Sequence, residues 1–130
     1  MDQEKILNFQ AFAQKAARKI EERKKRKRKS LYIGALEEKI EIQGLMDQEI
    51  VDCNEYSDNE QTNDKYTMYY ASPTLQDLAK YMKEKGMIQD YLEVCECIDL
   101  KDRNKIVNEI LELSGVLGES TVKELDEIKK

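Results

Sequence analysis

The stretch from Ser72 to Gly115 decides the fold and has the sequence SPTLQDLAKYMKEKGMIQDYLEVCECIDLKDRNKIVNEILELSG. Ser72-Pro73 is a typical helix start, because serine caps free amides and proline tolerates the first turn. Gly86 and Gly115 stand where helix ends favour a left-handed residue. A second apolar face lies between them, from Ile88 to Ile98. We therefore predict three short amphipathic helices that bury their apolar faces against one another or against a partner.

The third of these helices has the broadest apolar face and supplies much of the predicted core. Asp99 is its predicted cap. The core is predicted to contain Ile50, Leu78, Met82, Leu92, Ile106, Ile110 and Leu111. Of the three cysteines, we expect Cys53 and Cys95 to be reduced and buried.

Residues 3 to about 28 are predicted to form one long helix. A heptad seam runs along it through Ile6, Phe9, Ala13, Ala16 and Ile20, and Phe12 widens this face. After Ile20 the apolar residues stop. The chain continues with seven adjacent cations, Arg23, Lys24, Lys25, Arg26, Lys27, Arg28 and Lys29.

The residues between these two regions change period. Alternating apolar residues predict a β-hairpin at about residues 31–43, followed by a helix that begins near Asp47. We predict a surface loop from Ser57 to Asn63 and a short helix from Asp64 to Ala71. A thin apolar stripe predicts a last helix, with Val122, Leu125 and Ile128 on one face.

The predicted fold class is therefore mainly α. A basic N-terminal helix (1–29) is expected to precede a small α-helical domain (30–130) that contains the hairpin. The chain has 130 residues and a net charge of −5. This charge is unevenly distributed, because residues 1–30 hold eleven Lys or Arg against four Asp or Glu, a net +7, and the remaining residues carry −12.

Neither a signal peptide nor a run of roughly 20 apolar residues is evident, so we expect a cytoplasmic protein. The chain has no histidine and therefore lacks the commonest general base and neutral metal ligand. Its glycines match neither common phosphate-binding loop. The acidic loop from Asp58 departs from a calcium loop at Asn63 and Tyr69. We expect no enzymatic activity, no cofactor and no metal.

The basic run from Arg23 to Lys29 has several possible roles. It could bind phosphates of a nucleic acid or hold the helix at an anionic membrane, which defines the alternative function of a polyanion-binding adaptor. It could also be a solvated helix end, or contact an acidic protein surface, including the acidic remainder of this chain. Because the −12 body opposes approach to a polyanion, we favour protein contact or a solvated end and consider nucleic acid and membrane unlikely partners.

The order of these parts carries a resemblance to a known family. A basic helix precedes the strand pair Leu31-Tyr32-Ile33 and Lys39-Ile40-Glu41-Ile42. There follow Gly44-Leu45-Met46-Asp47, Lys65-Tyr66 and the closing Leu113-Ser114-Gly115-Val116. Over most of its length the chain resembles the tail assembly chaperones of contractile-tailed phages and of related prophage elements in Gram-positive bacteria.

The resemblance implies a non-enzymatic chaperone in the cytoplasm of the bacterial host, absent from the finished virion. Its client would be the long, helix-rich tape measure protein, with other tail proteins as possible further partners. Two surfaces are candidates for the contact. One is the seam, with Ile6, Phe9, Phe12, Ala13, Ala16 and Ile20, which could instead pack on the chain's own body or pair with a second copy. The other is a tyrosine segment with Tyr66, Tyr69 and Tyr70, which could instead belong to the core.

Overall fold

The computed structural model describes residues 3–125, with side chains from Asn8 onwards, and confirms a mainly helical fold with one hairpin. The elements follow in the order α1 (Gln3–Lys24), β1 (Arg28–Ile33), β2 (Glu38–Gln43), α2 (Asp47–Asn54), α3 (Glu60–Ala71), α4 (Pro73–Glu84), a 3-10 helix (Tyr91–Cys97) and α5 (Leu100–Leu113). Within this part of the chain, no helix combines the length and apolar character that a membrane crossing requires.

The core lies between the inner face of the hairpin and the helices from α2 to α5. Ile106 and Ile110 are buried there as predicted, and so are Cys53 and Cys95, both as free thiols. Burial raises the pKa of the Cys95 thiol to about 12, so this side chain behaves as a small neutral hydrophobe. Four other predicted core residues are half-buried: Ile50, Met82, Leu92 and Leu111.

Leu78 is a wrong prediction for the core, because 39% of its surface is exposed. On α4 the buried residues are Leu75 and Ala79, and Met82 continues the same line. Leu78 has helical spacing but lies at the edge of this narrow stripe. The periodicity of the apolar residues identified the helix without fixing the width of its buried face.

The hairpin is antiparallel, with Leu31 opposite Ile40. Strand alternation places Ile33, Ile40 and Ile42 on its buried face. The predicted hairpin is confirmed, although β1 begins at Arg28, three residues before the predicted start.

The start of α4 fastens the hairpin to the helices. Ser72 is completely buried, and its hydroxyl accepts a bond from the Leu75 amide at 3.2 Å, which confirms the predicted helix cap. The same hydroxyl donates to the Glu41 carbonyl at 2.7 Å, while the Glu41 amide donates to Thr74 Oγ1 at 3.0 Å. The outer edge of β2 is therefore bound by the first turn of α4.

A second junction joins the end of the hairpin to the end of α5. The Leu45 amide donates to Ser114 Oγ at 2.8 Å, and Ser114 Oγ donates to the Ile110 carbonyl at 2.6 Å. Gly44 lies against the backbone of Leu113 so closely that a Cβ atom would stand 2.7 Å from the Leu113 carbonyl oxygen. Glycine is therefore required at position 44 by close approach of two backbones.

The predicted helix from Ile88 to Ile98 is instead a 3-10 helix over Tyr91–Cys97. Asp90 caps it by accepting a bond from the Leu92 amide at 3.1 Å. Leu92, Cys95 and Ile98 are three residues apart, which suits the three-residue turn of this helix. Within the helix, Val94 and Cys95 are fully buried and Leu92 is half-buried.

Three further details differ from prediction. Residues 60–63, predicted as loop, form the first turn of α3, because Asn59 Oδ1 accepts a bond from the Thr62 amide at 3.0 Å and caps this polar turn. Asp99 precedes α5 as predicted but makes no side-chain capping bond. The predicted last helix is not seen in residues 119–124, which have no regular structure, and Ile128 lies outside the described residues.

Candidate partner-binding surfaces

The apolar stripe of α1 is exposed to solvent. We use the name α1 stripe for Phe9, Phe12, Ala13, Ala16 and Ile20; the side chain of Ile6, also predicted for the seam, lies outside the described part. Exposure reaches 68% at Phe9, 72% at Phe12 and 56% at Ile20, and Ala16 is half-buried. Burial of each such side chain contributes about 1.5–3 kcal/mol. Association with a partner that covers the α1 stripe would therefore be strongly favourable.

A row of cations runs along one side of the α1 stripe. Lys15, Lys19 and Arg23 are spaced four residues apart, so they lie in line on the helix surface beside Phe12 and Ala16. The opposite flank carries Gln10 and Gln14 near its start. The stripe therefore has one basic border and one border that is largely neutral at this end.

The helix does not continue to residue 28 as predicted but ends at Lys24. Near this end the cations pair with carboxylates of the body: Arg23 Nη2, in the last turn of α1, lies 2.6 Å from Asp47 Oδ1, and Arg26 Nη1, past the helix, lies 2.6 Å from Glu49 Oε1. Together they hold the end of α1 and the link that follows it beside the start of α2. Arg28 and Lys29 belong to β1.

Lys29 makes the third pair across the chain, with its Nζ 2.6 Å from Glu109 Oε2 on α5. Lys24 pairs within α1, at 3.2 Å from Glu21. For Lys25, Lys27 and Arg28, the described residues supply no ion pair. The seven cations predicted as a polyanion site are thus divided between internal pairs and exposed side chains, and they do not form one continuous basic surface.

The end of α1 and two segments of the body enclose a cleft of about 460 Å³. Its walls include Gly44–Asp47 and Leu113–Gly115. Five cations contribute to its lining: Lys19, Arg23, Lys25, Arg26 and Lys27. Glu22 and Asp47 offset part of this charge, and the Arg23 and Arg26 pairs use two of the five cations.

Glu49 is a counter-ion that the sequence analysis missed. Partial burial raises the pKa of this carboxyl, but hydrogen bonds from Arg26, the Met46 amide and Tyr70, with the charge of Arg26, outweigh it and lower the pKa to about 2. The Met46 amide donates to Glu49 Oε1 at 2.8 Å. A glutamate three residues after the start of a helix was the available signal, because it is typical of a capping box.

The tyrosine segment lies partly in the body. Tyr66 stacks on Tyr56 with ring centroids 4.0 Å apart, and Tyr69 lies 6.2 Å from Tyr91. Tyr66 and Tyr69 are half-buried against the core, and burial raises the pKa of both phenols. Tyr70 is the more exposed of the three. These rings extend the core to the surface of α3 and offer less free apolar area than the α1 stripe.

The described residues contain no group of three or more Cys, Asp or Glu side chains placed to hold a metal ion. The expectations of no cofactor and no catalytic activity remain predictions.

The pair between Arg26 and Glu49 predicts a pH-dependent stability. The folded-state pKa of about 2 lies below the ordinary value of 4.5, so this stabilisation is present above pH 4.5 and is lost as the pH falls towards 2. Glu49→Gln should lower the free energy of unfolding by about 1–3 kcal/mol at pH 7, and by much less at pH 3. Urea denaturation at both values measures the difference.

Asp47→Asn is the matched control. It removes the partner of Arg23 on the same helix, but this pair is largely exposed, so the expected loss is below about 0.5 kcal/mol at either pH. An equal loss for Glu49→Gln at pH 7 and pH 3 would contradict the assignment of Glu49 as a charged partner.

No family model, curated protein or solved structure matches this chain.

Proposed function

We propose that this protein is a non-enzymatic chaperone that binds an apolar helical segment of a partner through the α1 stripe. The resemblance of the sequence to tail assembly chaperones supplies the proposed client, the tape measure protein of a contractile phage tail. Binding would take place in the cytoplasm of the bacterial host before the tail tube polymerises. Other tail proteins are possible further partners.

The observation on which this proposal mainly rests is the exposure of Phe9, Phe12 and Ile20 along one face of α1. Most of the stability of a helix in a protein comes from packing of its amphipathic face, so the exposed apolar face of α1 gains most by packing on another helix. Two phenylalanines at the start of the stripe can act as anchors, because binding energy concentrates in a few large buried side chains.

The charge of the chain supports a chaperone role as well. The acidic body, attached to a basic helix, would remain in water while α1 covers the apolar surface of the client. The net charge of −5 would discourage aggregation of the complex.

We favour this function over a polyanion-binding adaptor for one reason. Arg23, Arg26 and Lys29 already bind Asp47, Glu49 and Glu109. A phosphate would have to displace these carboxylates to use the three cations, and it would approach an acidic body while doing so.

Co-expression with the tape measure protein tests the proposal. We expect the client to become soluble and to co-purify with this protein, while the variant with Phe9→Ala and Phe12→Ala should lose most of this effect. Each truncation at an interface anchor costs about 2 kcal/mol or more, so the double change should weaken binding at least a hundredfold.

A matched control replaces Tyr81, which is exposed on α4 away from α1, with alanine. This variant should solubilise the client like the wild type. Circular dichroism and thermal melting check that both variants remain folded. A client that is equally soluble with and without the protein, and that does not co-purify, would contradict the chaperone assignment.

A further inference from the structure

The two edges of the hairpin differ in their hydrogen bonding. On β2, the amide and carbonyl of Glu41 point outwards and bind Thr74 and Ser72. Glu41 lies opposite Ser30 in the hairpin. Because the backbone groups of Glu41 point outwards, these two residues form a pair without mutual backbone hydrogen bonds. The amide and carbonyl of Ser30 therefore point outwards from the other edge, that of β1.

The same alternation applies to the rest of β1. Arg28 and Tyr32 are two residues from Ser30 on either side, so their backbone groups point to the same outer edge. The Gly44 amide donates to the Lys27 carbonyl at 2.9 Å. This bond agrees with the alternation, because it shows that the backbone groups of the odd-numbered residues point towards β2. Within residues 3–125, no backbone hydrogen bond outside the hairpin reaches Arg28, Ser30 or Tyr32.

Helix α1 leaves this edge open. Its last turn and the following link bind Gly44, Asp47 and Glu49, which all follow β2. The chain therefore approaches β1 past the end of β2 and the start of α2, and it does not run along the outer edge of β1. Among the described residues, the edge of β1 is left as a row of unpaired backbone donors and acceptors, which is a template for another strand.

We propose that this free edge pairs with the same edge of a second copy, in an antiparallel register centred on Ser30. In this register Ser30 lies opposite Ser30 of the second copy, and Arg28 lies opposite Tyr32 of the second copy. All three outward-facing residues then exchange backbone hydrogen bonds with the other chain. The two hairpins become one four-stranded sheet, which is more stable than a two-stranded one.

The side chains select the second copy as the occupant and fix the register. Arg28 and Tyr32 lie on the outer face of the hairpin, and Tyr32 is 71% exposed. Directly opposite residues on one face lie about 5 Å apart, so each guanidinium can rest on the ring of the other chain. The twofold symmetry makes this cation–π contact twice. A shift of the centre to Lys29 would instead place Arg28 opposite Ser30 of the second copy, and a shift to Leu31 would place Tyr32 opposite it, so either shift would lose both cation–π contacts.

The charge of Lys29 does not oppose the pairing. It points to the inner face, where its amine is held by Glu109 of its own chain. In the proposed register it lies opposite Leu31 of the second copy, whose side chain is half-buried. This interface uses neither the α1 stripe nor the tyrosine segment, so it is independent of the proposed function.

Sedimentation velocity of the full chain, from about 1 µM to about 500 µM, tests the proposal in the range of weak to moderate association. We expect a reversible dimer. Ser30→Pro should abolish it without unfolding the hairpin, because the amide that proline removes points away from β2. Tyr32→Ala should weaken dimerisation about tenfold through loss of two cation–π contacts, whereas Tyr32→Phe should leave it unchanged.

Three results would overturn the inference. They are a monomer at every concentration, a dimer whose dissociation constant is unchanged by both Ser30→Pro and Tyr32→Ala, and a dimer lost in the variant with Phe9→Ala and Phe12→Ala. The last would assign self-association to α1. Should Ser30→Pro fail to fold, Arg28→Glu decides instead, because it places a carboxylate over the tyrosine ring and must also abolish the dimer.

Discussion

Ile110→Ala is expected to lower the free energy of unfolding by about 2–5 kcal/mol. Ile110 lies on α5 and has no exposed surface, and it belongs to the core between the helices and the hairpin. Its carbonyl also accepts the bond from Ser114 Oγ, the hydroxyl that joins the end of α5 to the hairpin through the Leu45 amide. Truncation would leave a cavity at this position. The surrounding elements cannot readily move to fill it, because hydrogen bonds join α5 to the hairpin.

Urea denaturation at pH 7 measures this loss, and two other variants calibrate it. Ile110→Val removes one methylene group and should cost about 0.5–1.5 kcal/mol. Leu78→Ala, on the partly exposed side of α4, should cost less than Ile110→Ala although both changes remove a large aliphatic side chain. A loss below about 0.5 kcal/mol for Ile110→Ala would mean that this residue is not part of the core.

Gly44→Ala is expected to destabilise the fold by about 1–3 kcal/mol, although it adds a single methyl group. The added Cβ would stand 2.7 Å from the carbonyl oxygen of Leu113 and 3.1 Å from its carbonyl carbon. Both are backbone atoms at the end of α5, so no side-chain rotation can relieve the contact. The segment would have to move and stretch the bond between the Leu45 amide and Ser114.

Gly34→Ala provides a matched control within the same hairpin. There the nearest atom to an added Cβ is Tyr32 Cε1 at 3.9 Å, an ordinary van der Waals contact. Thermal melting should show a clear fall for Gly44→Ala and little change for Gly34→Ala. Equal melting temperatures for the two variants would contradict the close approach of residue 44 to α5.

Local signals in the sequence predicted the parts of the fold that depend on single residues or on short periods. Ser72 caps α4, and Gly86 and Gly115 follow α4 and α5 with positive φ angles of 72° and 79°. The alternation around Leu31 and Ile40 predicted the hairpin. In each case the chemistry that decides the conformation lies within a few residues.

The contacts that were missed join residues far apart in the chain. The end of α1 depends on Arg23 and Arg26 reaching Asp47 and Glu49, and no property of the basic run itself indicates that partner. The 3-10 helix buries the adjacent residues Val94 and Cys95 in the core, and this tertiary burial cannot be read from the local spacing of apolar residues. The sequence could likewise identify an apolar seam on α1 but could not decide whether the seam would be covered.

Hydrogen–deuterium exchange of the purified complex with the tape measure protein tests the central claim, that α1 is the binding surface, most directly. In the free protein the amides of residues 8–24 should exchange rapidly, because α1 is exposed along its length and held by its last turn. We predict that binding slows exchange most strongly there. If exchange in residues 8–24 is the same in the free protein and in the complex, while residues 66–70 or another part of the body become protected, the account is contradicted.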